Sequence, residues 1–424
     1  MNSTHSTLQA VTPFKRLFAG IAFSNASYYI ATVPPMILLL TLKLQIIAPQ
    51  SVVSSLATVI SIGSIVSMLA HPIAGAVGDR TRLKFGRRRT WILLGSILGG
   101  ASLLALGFAQ EVWQVVLLWS CVQMFFAFTM ASNAALLAEQ VEESRRGSLS
   151  GIIGALPPLG ALVGITLVNS MSGLSEPIKW ALLGIIGVIG PIIAVIMIRD
   201  TAFSGSKKKV KFSFSRIIPS PRKYPAFAYA WLARFLVLFI PSISSFGTLF
   251  VSERFHFTPT ELTSKITLIS AISTILSFTF SIVGGMLSDY FKRQKPFVIG
   301  SGILMGLALI VQVFSPNFTI YLICAVFSAI GSGMFYGVDM ALLTRVLPNK
   351  EDAAKDLGIL NMTNSLPQAI VPAMLPLLIG IGGYELAFSV IAAIGILGAL
   401  AVIKVPEMST NIDNTDLSQE ELDI

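Results

Sequence analysis

The sequence predicts an all-α membrane protein whose twelve transmembrane helices form two pseudo-symmetric bundles of six. Of its 424 residues, 54% are hydrophobic and only 12% are charged. Soluble domains average about 25% charged residues, so this composition disfavours a water-soluble fold. Apolar runs long enough to cross a bilayer recur along nearly the whole chain, and two segments of the first half have counterparts in the second.

Six apolar runs, bounded by charged residues, Pro and Gly, lie in each half of the chain. The predicted spans of the first half are 14–41, 51–78, 90–109, 112–138, 147–171 and 178–198. Those of the second half are 226–251, 264–288, 296–314, 318–346, 355–380 and 383–404. We therefore expect an N-terminal tail at 1–13, a first bundle at 14–198, a linker at 199–225, a second bundle at 226–404 and a disordered acidic tail at 405–424.

The distribution of basic residues predicts the orientation. If the N-terminus lies inside, the cytoplasmic segments contain 25 of the 30 Lys and Arg residues. The outer loops contain Lys43, Lys179, Arg254 and Lys265, and Arg234 lies inside a span. This asymmetry predicts a multi-pass protein of the cell membrane, surrounded by lipid, with both termini in the cytoplasm.

Composition also bears on cofactors and enzyme chemistry. Two cysteines and three histidines form no metal-binding cluster, so we expect no metal and no cofactor. The net charge of +9 comes from residues between spans, without a basic stripe carrying interleaved aromatics, and we expect no nucleic-acid partner. The sequence contains no nucleophile with a neighbouring base and no nucleotide-binding loop, so it does not predict an enzyme.

An internal repeat relates the two halves. The segment G-A-V-G-D-R-T-R-L-K-F-G-R-R-R-T (Gly75 to Thr90) follows span 2, and G-G-M-L-S-D-Y-F-K-R-Q-K-P (Gly284 to Pro296) follows span 8. Likewise N-A-A-L-L-A-E-Q-V (Asn133 to Val141) ends span 4, and D-M-A-L-L-T-R-V-L (Asp339 to Leu347) ends span 10. Two parallel six-helix halves are typical of transporters whose binding site lies between the halves.

The segment from Gly75 to Arg89 resembles the signature loop between helices 2 and 3 of the major facilitator superfamily. The runs D-R-T-R-L-K-F-G-R-R-R, V-D-M-A-L-L-T-R-V-L-P and A-K-D-L-G-I-L-N-M-T-N-S-L-P-Q further resemble the sucrose and glycoside–pentoside–hexuronide branches. The resemblance covers residues 14–404 and implies the major facilitator fold and transport by alternating access. It also implies a cytoplasmic latch between the halves, made by Asp79, Arg80, Gly86, Arg87 and Arg88, with Asp289 as a second copy.

The residue types of this latch suit a contact at the membrane edge. Gly75 and Gly78 would let neighbouring helix backbones approach closely, and Asp79 could accept hydrogen bonds from arginines or from a helix N-terminus. Glu139 and Arg345, at matching ends of spans 4 and 10, could each pair with the adjacent loop or remain solvated. As an alternative, the basic cluster could only anchor the topology through lipid phosphates.

The resemblance implies that spans 1, 4, 7 and 10 line a central cavity. Aligning Leu17 to Asn25 with Ala226 to Arg234 places Asn25 opposite Arg234, and Asn133 matches Asp339. An isolated charge inside the bilayer costs several kcal/mol, so we expect Arg234 and Asp339 to form a switchable ion pair, with Asp339 as the candidate for proton coupling. A static pair that only joins spans 7 and 10 is the alternative.

Uncharged polar residues of the spans supply further cavity candidates. Amide and phenol groups can bracket sugar hydroxyls in a mostly apolar pocket, although asparagines could instead join helices. The candidates are Tyr28 and Tyr29 on span 1, Gln123 on span 4, and Asn361, Asn364 and Gln368 on one face of span 11. Trp119, near an outer span end, we assign to packing or to the membrane interface.

These features predict a secondary active transporter of a small solute that works as a monomer. A sugar or a glycoside is the expected substrate, and protons are a candidate coupling ion. Export of drugs or hydrophobic metabolites is the second hypothesis, and a membrane sensor or enzyme is a third, from a different class.

Overall fold

The computed structural model describes residues 12–141, 156–200, 225–345 and 353–404, except for the side chains of residues 138, 340–345 and 353–361. Every regular element in these ranges is a helix, which confirms the predicted fold class. The first half contains α1 Phe14–Ile47, α2 Val52–Arg80, α3 Arg87–Gly107, α4 Val112–Gln140, α5 Leu156–Ser170 and α6 Glu176–Met197. The second half contains α7 Pro225–Phe255, α8 Pro259–Phe291, α9 Lys295–Val313, α10 Phe318–Arg345, α11 at 353–381 and α12 at 384–401.

Ten helical stretches in the described ranges are long and apolar enough to cross a membrane. One of them, Met362–Lys404, includes both α12 and most of α11, and α5 is a shorter apolar helix. The break between α11 and α12 lies at Gly382 and Gly383, and Gly383 has a φ of 70°. Because a residue with a side chain rarely adopts this φ, the glycine allows the chain to turn back into the second bundle's last helix.

Two proline-containing irregularities interrupt α1 and α7 at nearly equivalent places in the repeat. In α1 the segment Pro35–Leu39 is a π-helical turn, and in α7 the segment Pro241–Ile243 is a 3-10 turn. Proline lacks the N–H that would continue the α-helical bond pattern, which accounts for both local changes of helix type. Each helix has an inner part within its own bundle and an outer part near the other half.

Small residues allow close packing within the bundles. A Cβ at Gly184 on α6 would lie 2.6 Å from the carbonyl oxygen of Gly100 on α3, and a Cβ at Gly100 would lie 2.7 Å from the carbonyl oxygen of Gly184. This mutual approach is the kind of small-residue contact that joins membrane helices. Between the halves, α5 packs against α8, and α2 packs against the stretch Ala353–Ala401, as expected for a twofold relation of the bundles.

Lys43 corrects one expectation from the sequence. We predicted it in an outer loop, but it lies within α1 and its side chain is 3% exposed. Its ammonium donates to the Glu176 carboxylate at 3.0 Å and to the Gly107 carbonyl at 3.2 Å. The acid at the start of α6 compensates the buried charge, which is why α1 continues beyond the predicted span end.

Four side-chain hydrogen bonds between described residues join the two halves, and none lies near the end of the bundle that the sequence predicts to be cytoplasmic. Three connect outer helix segments: Thr248 to the Ile37 carbonyl at 2.6 Å, Gln45 to Ser252 at 3.0 Å, and Ser264 to Asn169 at 3.3 Å. The fourth connects Thr274, midway along α8, to the Pro158 carbonyl at 3.2 Å. The halves are thus held together on the predicted outer side.

Candidate functional site

A cavity of about 300 Å³ lies between the two halves; we call it the central cavity. Helices α1, α2, α4 and α5 of the first half and α7 and α11 of the second half line it. Its lining residues are Tyr28, Tyr29, Thr32, Val33, Met36, Ile37, Ser64, Ser67, Trp119, Gln123, Pro157, Ser244, Ser365 and Gln368. The volume is at the lower end of the range for small-molecule sites.

Four of the predicted candidates line this cavity: Tyr28, Tyr29, Gln123 and Gln368. The rings of the two tyrosines meet edge to face with centroids 4.9 Å apart, and the Tyr28 ring also meets Phe126 at 5.5 Å. These ring contacts restrict the tyrosine side chains, so their hydroxyls present hydrogen-bonding groups from a fixed wall.

Several lining residues were not among those predicted from the sequence. Ser64, Ser67, Ser244 and Ser365 contribute hydroxyls from three helices. Trp119, which we assigned to packing or the interface, is buried and also forms part of the cavity wall. Serine is common in membrane helices because it can bond to its own backbone, so composition alone does not reveal which serines face a cavity.

None of the residues that line the central cavity carries a charged side chain. The available groups are phenol, hydroxyl, amide and indole, together with apolar surface from Val33, Met36 and Ile37. Such a lining can hydrogen-bond to a neutral solute and cannot neutralise a full charge.

Arg234 and Asp339 do form the ion pair that the sequence suggested, on α7 and α10. The two side chains are 6% and 4% exposed, and neither residue lines the central cavity. Arg234 also donates to the amide oxygen of Asn364 on α11 at 3.1 Å. The pair and Asn364 therefore connect three helices of the second bundle from within, and the role of the pair in transport stays a prediction.

In the first half, Asn25 and Asn133 do not form the neutral pair that the repeat suggested. Asn133 donates to the Ser24 hydroxyl at 2.8 Å, whereas the Asn25 amide donates to the Ile21 carbonyl of its own helix at 2.7 Å. Both asparagines are buried and neither lines the central cavity. They join or stabilise helices here, and the side chain of Asn361 lies outside the described residues.

The basic segment after α2 forms an ion-pair cluster within the first half. Arg88 donates to Asp79 and to Glu139, each at 2.5 Å, and Arg87 pairs with Glu139 at 2.6 Å. Glu139, at the end of α4, thereby connects to the start of α3, as one of the two sequence-based alternatives proposed. We call these four residues the latch cluster.

Glycine packing at this cluster differs from our expectation. A Cβ at Gly78 would lie 2.7 Å from the guanidinium of Arg88, so this glycine makes room for a side chain rather than for a neighbouring backbone. Gly75 has open space around it, and the expected close helix approach there was wrong. Arg80 is exposed at the end of α2.

Asp200, just beyond α6, lies next to the latch cluster and was not predicted from the sequence. Its carboxylate accepts hydrogen bonds from the backbone N–H groups of Arg88 at 2.5 Å and Arg89 at 3.2 Å. These are donors at the N-terminus of α3 that have no partner within the helix, and a negative charge is favoured there. Gly86, with a φ of 118°, lies directly against Asp200, so only glycine fits this turn without strain.

The latch contacts between described residues stay within the first half. The Asp79 side chain is 62% exposed, and Asp289, its counterpart after α8, is exposed and has no ion pair within the described ranges. The Arg345 side chain lies outside those ranges. A latch that crosses between the halves therefore remains a prediction for another conformation.

A family model described as Major Facilitator Superfamily matches residues 17–264 and 231–420. The chain is 24% identical to a lactose permease from Lactobacillus helveticus over 286 residues, which are 60% of this chain and 43% of that protein. It is 22% identical to the multidrug resistance protein MdtG of Proteus mirabilis over 331 residues, 74% of this chain and 78% of that protein.

The matched region is thus less than half the length of that lactose permease. A solved structure of a mutant nucleoside transporter, NupG, superposes with a TM-score of 0.71 at 12% identity and covers 92% of this chain and 99% of that one. At this identity the similarity concerns the fold alone, and it agrees with the twelve-helix architecture.

Proposed function

This chain belongs to the Major Facilitator Superfamily and is a membrane transporter, and from this premise we propose that it carries a small neutral solute with several hydroxyl groups, a sugar or a glycoside, by alternating access. The uncharged lining of the central cavity is the observation that supports this substrate class most directly. Sugar hydroxyls can pair with the amides of Gln123 and Gln368 and with the nearby tyrosine and serine hydroxyls.

The cost of desolvation favours a neutral substrate in this cavity. A charged solute that enters loses hydration, and none of the cavity's lining side chains could offset that loss with an opposite charge. A sugar loses hydrogen bonds to water but regains them from amide and hydroxyl groups, and its C–H faces can pack on Trp119. The similarity to a lactose permease is in line with this choice.

Alternating access in this proposal depends on the bonds that join the outer segments of the two halves. The solute enters or leaves from the predicted cytoplasmic side while Gln45–Ser252, Thr248–Ile37 and Ser264–Asn169 keep the outer side closed. Opening the outer side breaks these bonds, and the latch cluster then reaches the second half to close the other side.

We further propose that protons drive transport through the Arg234–Asp339 pair. Protonation of Asp339 would release Arg234 from its carboxylate partner and loosen the contact between α7 and α10. Because neither residue lines the central cavity, this coupling acts through helix movement and not through direct contact with the solute.

The proposal also covers the location, the orientation and the oligomeric state of the protein. The excess of Lys and Arg in one set of connections favours the cell membrane with both termini in the cytoplasm. A complete cavity within one chain favours function as a monomer.

Export of drugs or hydrophobic metabolites is the second candidate function. The apolar lining residues Val33, Met36 and Ile37 and the similarity to MdtG favour it. A thermal-shift screen of the purified full chain separates the two candidates, with neutral mono- and disaccharides in one set and lipophilic cations in the other. Stabilisation by sugars alone supports the proposal, and stabilisation by lipophilic cations alone supports export.

A further inference from the structure

A second cavity, of about 350 Å³, is lined mainly by helices of the second bundle; we call it the side cavity. Helices α7, α8, α9 and α10 line it, together with Ile37 of α1 and Phe388 of α12. No charged side chain is among its lining residues. Its polar lining residues include Ser244, Ser270, Ser273, Gln312, Tyr321 and Ser328.

Gln312 and Tyr321 contribute polar groups to the side cavity that are not bonded to other described residues. Gln312 is 9% exposed, and its side-chain amide makes no hydrogen bond to any described residue. Tyr321, 6% exposed, likewise has a hydroxyl without a hydrogen-bond partner in the described ranges. Both residues line the cavity, so their polar groups are available there to hydrogen-bond to a bound solute.

The serines at the side cavity differ from one another in their hydrogen bonding. Ser277 and Ser332 bond to each other at 3.0 Å, and both also bond to the Ala329 carbonyl. In contrast, the hydroxyls of Ser270, Ser273 and Ser328 make no hydrogen bond within the described part of the chain. Their donors and acceptors are free to bind a solute in the cavity.

The side cavity adjoins the central cavity. Ile37 of α1 and Ser244 of α7 line both. Ile37 lies in the π-helical turn of α1, and its carbonyl accepts the hydrogen bond from Thr248 that joins the two halves. The two cavities are therefore neighbours, and their shared lining residues lie beside the hydrogen bond that joins the halves.

We propose that the side cavity is a second subsite, which holds one ring of a neutral two-ring solute, such as a disaccharide, while the other ring lies in the central cavity. This inference deepens the proposed function and rests on it. The unpartnered amide and hydroxyls supply the hydrogen bonds that sugar hydroxyls need, and Tyr321 and Phe388 supply faces for the C–H side of a ring.

The test compares one-ring and two-ring sugars on the full chain in detergent. Maltose and lactose are the two-ring probes, and methyl α-glucoside and methyl β-galactoside are their one-ring counterparts, with Kd measured by calorimetry. Gln312→Leu and Ser273→Ala each remove one hydrogen bond in the side cavity. We expect each to weaken two-ring binding by about three- to tenfold and to leave one-ring binding unchanged.

Two matched controls accompany these variants. Gln123→Leu, in the central cavity, should weaken binding of both probe classes, and Gln110→Leu, at an exposed position between α3 and α4, should weaken neither. Should Gln312→Leu fail to fold, the conservative Ser273→Ala variant decides the test.

The outcomes separate the subsite from the substrate class. Equal loss of one-ring and two-ring binding in the side-cavity variants overturns the subsite. Unchanged binding of both sugar classes in both variants also overturns it, and this is the result expected if a lipid chain fills the side cavity. Failure of the wild-type protein to bind any of the four sugars overturns the proposed substrate class together with the subsite.

Discussion

Arg234 on α7 and Asp339 on α10 neutralise each other inside the second bundle, where their side chains are 6% and 4% exposed. Asn364 on α11 accepts a further hydrogen bond from the guanidinium at 3.1 Å. A buried ion pair contributes little net stability, but removal of one partner leaves the other as an uncompensated charge. The stability of the second bundle therefore depends on both charges being present.

Asp339→Asn should lower the thermal unfolding temperature of the protein in detergent. The substitution removes the carboxylate that pairs with the buried Arg234, and breaking a buried pair costs roughly 3–5 kcal/mol. Asp289→Asn, an exposed aspartate of the same half without an ion pair among the described residues, is the matched control and should change stability little. Equal unfolding temperatures for the two variants would show that the pair is not an energetic link between the helices.

The same variant tests proton coupling. In proteoliposomes, Asp339→Asn should lose uptake driven by a pH gradient but keep exchange of solute between equal concentrations, because exchange needs no net proton movement. Uptake that still responds to the pH gradient would exclude Asp339 as the coupling group. Loss of exchange as well would favour the static alternative, in which the pair only holds α7 and α10 together.

Asp79→Asn should reduce the transport rate at least tenfold with little effect on stability. The Asp79 side chain is 62% exposed, and such a pair contributes less than about 1 kcal/mol. Arg88 keeps Glu139 as a partner in the variant, so the folded first half remains intact. The measurement compares initial uptake rates at equal protein levels, and a normal rate would remove Asp79 from the proposed latch.

Asp200 and Gly86 should be energetically coupled. Asp200→Ala removes a carboxylate from the N-terminus of α3, which costs about 0.5–2 kcal/mol. Gly86→Ala places a methyl group 2.8 Å from that carboxylate and also forces an unfavourable φ, so it should cost more. In the double variant the 2.8 Å contact with the carboxylate disappears, while the 3.1 Å contacts with the Cβ and the backbone carbonyl of residue 200 and the backbone strain remain.

A double-mutant cycle of chemical denaturation measures this coupling. The sum of the two single losses should exceed the loss in the double variant by more than about 0.5 kcal/mol. Additive losses would show that Asp200 does not pack on Gly86 in the folded protein.

Thr248→Val and Gln45→Leu together should shift the protein toward a state that is open on the outer side. Each removes one hydrogen bond between the halves, worth about 0.5–1.5 kcal/mol. Spin labels at Ser172 and Thr260, in a variant without native cysteines, report the distance between the outer ends of the halves. An increased population of the longer distance is expected, and Thr58→Val, which removes only a bond within α2, is the control.

Much of the architecture follows from the sequence because bilayer thickness fixes the length of the apolar runs. The residues that line the central cavity are harder to predict from the sequence. Tyr28 and Gln123 could be selected because polar groups are rare in spans, but Ser64 and Ser365 could not, since serine satisfies itself on its own helix.

Two charged residues, Asp200 and Lys43, could not be placed from the sequence for a different reason. Asp200 lies in a segment that sequence analysis assigned to the linker, and its partners are backbone N–H groups more than 100 positions away. Lys43 was assigned to a loop because it follows the end of an apolar run, and its partner Glu176 begins a different helix. In both cases the decisive interaction is non-local, and no local pattern indicates it.

Solute counterflow in proteoliposomes tests the central claim most directly, namely that an uncharged cavity between two moving halves carries a neutral sugar. Vesicles loaded with unlabelled lactose are diluted into labelled lactose, for the wild type, the double variant Gln123→Leu with Gln368→Leu, and the control Gln110→Leu. The account predicts transient accumulation of label with the wild type and the control and none with the double variant. Undiminished accumulation with the double variant, or wild-type transport of a lipophilic cation and not of the sugar, would contradict it.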